Sequence, residues 1–293
     1  METEMSEKVK LNAAIEQPPE PEEGHVPDVS SSTFEEWGQR LPIGVLQGGS
    51  LHRDFAFRRW TMKEERALEK MRKKNRRLSM GALVTNVLAY MLTRLGPYDF
   101  ETLDDGQRRM VVNQMWMPDV MYAYIYLRIE ALGPEVKFPV ECDKCGHKWK
   151  FAADLSRTDV TIAENPEALV RSHELRDGIV PPPGAGDEVA HTVLLQPPAW
   201  QAMSALKQDG NMGDVKLFLM SSAMRKIGEG RIPAIPDVLE GLTKFDLEHL
   251  QRVIDDLTPG PELVLEVDCP SCDHENKRSL DWSWDFFFTA SSL

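Results

Sequence analysis

The sequence predicts an α+β fold made of two pseudo-repeated halves, each running helix, strand, cysteine knuckle, strand. Three observations predict it. The first is a pair of C-x-x-C turns, Cys142/Cys145 and Cys269/Cys272, each led in by an apolar run, "EVKFPVE" and "ELVLEV". The second is that residues 133–155 laid over residues 260–282 agree at nine of twenty-three positions without a gap. The shared positions include the Gly-Pro that ends a helix, both cysteines and a histidine, so turn and ligand residues repeat together. The third is that helix-period segments with start and stop signals fill most of the chain before each knuckle.

The elements follow in order. Residues 1–32 are rich in Glu, Pro and Ser, and are expected to form a disordered acidic tail. Residues 33–156 form the first half with the first knuckle, and residues 157–293 the second half with the second knuckle and an aromatic end. The two are expected to make one composite unit. "LHRDFAFRRW" alternates and reads as a half-buried strand or hairpin. Thr61 followed three residues later by Glu64 is a capping-box pattern for a basic helix. "GALVTNVLAYMLTRL" predicts a buried second helix and "LDDGQRRMVV" a third, capped by Asp104 or Asp105. A fourth follows Pro118 and stops at Gly133-Pro134. In the second half, "DEVAHTVLLQPPAW" reads as a strand feeding a helix, "MGDVKLFLMSSAMRKI" as a helix, and "TKFDLEHLQRVIDDL" as a helix capped by Thr243.

The spacing points to a metal. Two thiolates do not close a site, and the repeat supplies the other two. Cys142, Cys145, Cys269 and Cys272 together give the tetrahedral sulfur shell that zinc accepts, in a zinc-ribbon-like arrangement. The spacing does not distinguish zinc from iron. The two knuckles stand 123 residues apart. Closing a flexible loop of that length costs about 4 kcal/mol, against roughly 10–16 kcal/mol for a four-thiolate zinc site, so the metal wins. Four sulfurs leave no open position, which reads as a structural and not a catalytic ion. His147 and His274 are read as neighbours of the site, not as ligands.

Composition bounds the function. The chain has 293 residues, 42% of them apolar, and a net charge of −13. That charge disfavours nucleic acid and anionic membrane as partners. No apolar run reaches the length of a membrane span. "METEMSEKVK" lacks the apolar core of a signal peptide, so a cytoplasmic setting is expected. No P-loop, G-x-G-x-x-G, G-x-S-x-G or paired-carboxylate pattern occurs, and the expected protein is not an enzyme. The aromatic and Met residues between Met115 and Tyr126 read as helix packing. Phe286, Phe287 and Phe288 are adjacent, so one strand face cannot bury all three. They are expected to touch a partner. The alternative to a protein-interaction role is a zinc-ribbon nucleic-acid-binding module using the basic helix at residues 63–77.

The order "WTMKEERAL", "LDDGQRRMVV", "LGPEVKFPVECDKCG", "LTKFDLEHLQRVIDDLTPGPELVLEVDCPSC" and a final "DFFF" resembles the baseplate hub assembly proteins of contractile-tailed, T-even-like bacteriophages, with relatives in phage-like contractile injection systems. The resemblance covers roughly residues 40–290. It implies a non-enzymatic assembly chaperone or structural component that binds baseplate or hub proteins of the tail and acts in the bacterial host cell or within the particle.

Overall fold

The structure is a computed structural model, and it describes residues 29–74, 78–180, 189–205, 212–228 and 236–280. The Phe286–Phe288 run and residues 1–28 of the N-terminal tail lie outside the described residues. Residues 29–32, expected in the disordered tail, instead belong to a strand whose backbone pairs antiparallel with residues 159–163. The described residues open with β1 (Val29–Thr33), the one-turn α1 (Phe34–Trp37), β2 (Arg40–Gln47) and β3 (Ser50–Phe57). Helices α2 (Met62–Lys74) and α3 (Met80–Met91) follow, then β4 (Leu92–Leu95), β5 (Tyr98–Asp99), α4 (Asp105–Gln114) and α5 (Met117–Leu132). A hairpin of β6 (Glu135–Glu141) and β7 (Lys148–Asp154) carries the first cysteine pair. Next come β8 (Asp159–Ala163), β9 (Arg171–Ile179), β10 (Ala190–Leu195), α6 (Trp200–Ala205), α7 (Met212–Ala223) and β11 (Met224–Ile227). The last elements are α8 (Pro236–Leu239), α9 (Lys244–Asp256), β12 (Gly260–Pro261) and the second hairpin, β13 (Val264–Asp268) with β14 (Glu275–Ser279).

Helix starts follow the local chemistry. Asp104 caps α4 by accepting from Gln107 N, and the Gln107 side chain accepts from Asp104 N in return. Thr243 caps α9 through Asp246 N. Thr61 and Glu64 hydrogen-bond at the start of α2. Two expected helices end early. "LTRL" and "MRKI" do not continue α3 and α7 but turn at once into β4 and β11. Each strand pairs with a strand laid down earlier, β4 with β3 and β11 with β10. Pairing that buries Leu92, Leu95, Met224 and Ile227 outweighs the helical preference of the run.

Small sheets hold the molecule, in the orders β2-β3-β4-β5, β11-β10-β9 and β1-β8-β12, with the two hairpins beside them. The first core packs α3, α4 and α5 on the first four-stranded sheet and takes in Val136, Leu155 and Leu280. The second gathers β9, β10, β11, α7 and α9. The parts interlock, because α6 joins the first core. Trp200 is buried there and donates its indole N–H to Thr85 on α3 at 2.8 Å.

One device recurs in both cores. The β2–β3 register slips between Arg40 and Val45, and the β9–β10 register between Ala190 and Thr192. Bulged backbone N–H groups lose their ladder partners there. Buried Asp119, in the first turn of α5, accepts from Ile43 N at 2.8 Å and Gly44 N at 3.0 Å. Buried Asp246, in the first turn of α9, accepts from Arg176 N, Asp177 N and Gly178 N at 3.0, 2.9 and 3.3 Å. Gly44 and Gly178 both sit at positive φ, 100° and 80°. A Cβ on Gly44 would lie 2.8 Å from His52 O, and one on Gly178 2.4 Å from Val189 Cγ1, so each bulge requires glycine.

Candidate metal centre

Each hairpin turn is built by the same backbone bonds. Cys142 N donates to His147 O at 2.9 Å, and Gly146 N returns to Cys142 O at 2.9 Å. In the second turn, Cys269 N donates to His274 O at 2.9 Å and Asp273 N to Cys269 O at 3.0 Å. Gly146 and Asp273 occupy the left-handed position, at φ 70° and 52°. Asp is among the few non-glycine residues that tolerate it. The histidines thus serve the turns through their carbonyls.

The turns face each other. Cys142 Sγ lies 3.7 Å from Cys272 Sγ, and Cys145 Sγ lies 3.7 Å from Cys269 Sγ. All four sulfurs lie within 4.8 Å of one another. Zinc–sulfur bonds of about 2.3 Å in a tetrahedron place sulfurs about 3.8 Å apart, so the donor set and its spacing fit a four-thiolate ion. The cysteines are free, and the sulfurs stand well beyond the roughly 2.05 Å of a disulfide. Cys142 and Cys269 are buried while Cys145 is exposed. No other group of three or more His, Cys, Asp or Glu side chains converges in this way among the described residues.

The thiols do not ionise alike. Burial pushes the Cys142 thiol up, but N–H donation from Cys145 and Lys144, helped by neighbouring sulfurs, brings it down to about 6. The His274 N–H favours a thiolate at Cys272, but burial and the other three sulfurs push it up to about 12. Crowded sulfurs resist carrying charge together until a cation joins them, and a bound divalent ion holds its thiols deprotonated.

Side chains that the sequence reading missed lock the hairpins together. Asn276 is buried and uses its whole amide: it accepts from Asp143 N at 2.9 Å and donates to Val267 O and His274 O at 3.1 and 2.8 Å. Arg278 grips Asp143 with two bonds of 2.9 and 2.8 Å and also donates to Glu141 O. The pairing with Arg278 holds the Asp143 carboxyl below the usual range. The signal available was a short polar amide, Asn276, in the second return strand at the position where the first hairpin has the apolar Trp149.

The family comparison decides the wider identity. The profile described as T4 bacteriophage base plate protein matches residues 41–288, which takes in both hairpins and all four cysteines. The chain belongs to the T4 bacteriophage base plate protein family. No curated protein and no solved structure matches it. The baseplate-family match begins within β2 and ends at Phe288, so it spans the two cores as well as the cysteine cluster. Among the described residues, no helix of this baseplate-family chain is long and apolar enough to cross a membrane.

Proposed function

We propose that the protein is a non-enzymatic part of a contractile tail, acting as an assembly chaperone or structural component through contacts with baseplate or hub proteins. A structural zinc ion clamps it. The observation that carries this reading is the convergence of four thiols from two hairpins within a chain of the baseplate family. A site with four protein sulfurs uses every position of a tetrahedral ion, so the metal serves the fold and the protein surfaces serve the function.

The same reading takes the molecule as an internal duplication. Asp119 and Asp246 are 127 residues apart, the same offset as Cys142 and Cys269. Each half runs a bulged strand, a partner strand, a helix turning straight into a third strand, a helix with a buried aspartate in its first turn, Gly-Pro and a hairpin. Gly96 and Gly228 end the third strands alike, donating to Asp54 O and Thr192 O at 2.7 Å. The metal joins the two copies. Phe286, Phe287 and Phe288, with the N-terminal tail, remain the proposed partner contacts.

The test is genetic and biochemical. Tails assembled without this protein should lack a complete baseplate, and the zinc-loaded chain should co-purify with baseplate or hub subunits after nuclease treatment. Normal tails in its absence, together with co-purification of nucleic acid alone, would overturn the assignment.

A further inference from the structure

Residues 53–77 hold eleven Lys and Arg against four Asp and Glu, in a chain whose net charge is −13. On the described part of this stretch, Arg59, Lys63, Arg66, Lys70, Lys73 and Lys74 are exposed. The exposed face of α2 borders a cleft between α2, α3 and α4, whose lining includes Met71, Asn86, Tyr90, Arg108 and Arg109. The Arg58 guanidinium lies 4.8 Å over the Tyr90 ring. The buried Nε of Arg58 and that of Arg108 have no hydrogen-bond acceptor. A buried guanidinium N–H without a partner is costly. Arg58 covers the Tyr90 ring and Arg108 lines the cleft beside Tyr90, so under-satisfied positive charge is gathered at this place. The cleft volume is about 70 Å³, far below the roughly 300–1,000 Å³ of a small-molecule pocket.

We infer that this cleft and the basic face of α2 form a docking site for an acidic segment of a partner protein. One carboxylate enters beside Tyr90, within reach of Arg108, and further Asp or Glu side chains lie along α2. Charge complementarity selects the occupant, and the carboxylates already on the surface select against nucleic acid. Asp105 stands at the cleft 4.0 Å from Arg108, and Glu69 pairs with Lys73 at 2.7 Å. A side chain can be placed to avoid them. A phosphate backbone, with a charge at every nucleotide, meets them. A protein occupant also rests on the baseplate reading.

The test uses the full zinc-loaded chain and a fluorescein-labelled poly-glutamate peptide, followed by anisotropy at low and physiological salt. Single- and double-stranded DNA of matched length serve as competitors. The peptide should bind, weaken with salt, and bind about tenfold more weakly to Arg108→Gln. A second variant, Lys70→Gln with Lys74→Gln and Arg109→Gln, changes only exposed side chains and should also weaken binding with zinc content unchanged. No peptide binding at low salt, binding indifferent to both variants, or DNA that binds more tightly than peptide through the same residues would each overturn the proposal. Undiminished co-purification of tail subunits with both variants would overturn it too, while leaving the baseplate reading in place.

Discussion

Asp119 shows how a single buried carboxylate can hold a sheet to a helix. Its two oxygens each accept a backbone N–H that the β2 bulge leaves without a partner. Burial raises its carboxyl to about 7, against those two N–H donors and the charge of Arg53. A carboxyl raised above its unfolded value makes the folded state the better proton binder between about pH 4 and 7. This group therefore lowers stability as pH rises through that window. Asp119→Asn presents an amide NH₂ to one of the two N–H groups and should cost about 1–3 kcal/mol at pH 7. It should also flatten the wild-type slope between pH 4 and 7. Urea unfolding of both proteins at several pH values checks this, since ionisation of the metal ligands is common to the two and cancels in the difference. A variant as stable as wild type at pH 7 would show that the hook is dispensable.

At the scale of elements, the hairpins are joined by more than sulfur. The Arg278 pair with Asp143 is surface-facing, with Asp143 62% exposed, so it contributes little on its own. Its role is to set one turn against the other, and Asn276 does the same from inside. Arg278→Ala should leave zinc content at one ion per chain but speed metal release to a chelator, while Asn276→Ala should both speed release and lower the melting temperature. Equal release rates in all three proteins would place the hairpin contact in the sulfurs alone. The cysteine turns, the stops at Gly133-Pro134 and Gly260-Pro261 and the Asp104 and Thr243 caps were legible because their chemistry is local. The strands at "LTRL" and "MRKI" were not, because no Gly or Pro interrupts the run before Gly96 or Gly228. Pairing with β3 and β10 decides them. Asp119, Asp246 and Asn276 escaped notice for the same reason: each answers a backbone group far away in sequence.

For the whole molecule, the four-cysteine cluster closes a long circuit. The chain leaves Cys145, builds the β8 strand, the second sheet with its helices, and α6, which packs into the first core, then returns to Cys269. The circuit is also held by β12, whose Gly260 and Pro261 pair with β8. Losing either knuckle should therefore unfasten the same clamp. Cys142→Ser and Cys269→Ser are expected to lose zinc together and to lower the melting temperature by similar amounts. The most direct measurement is zinc stoichiometry combined with X-ray absorption at the zinc edge of the purified chain. One zinc per chain with four sulfurs at about 2.3 Å is the predicted result. Two zinc ions per chain, or a first shell containing nitrogen or oxygen, would contradict a single clamp shared by the two hairpins.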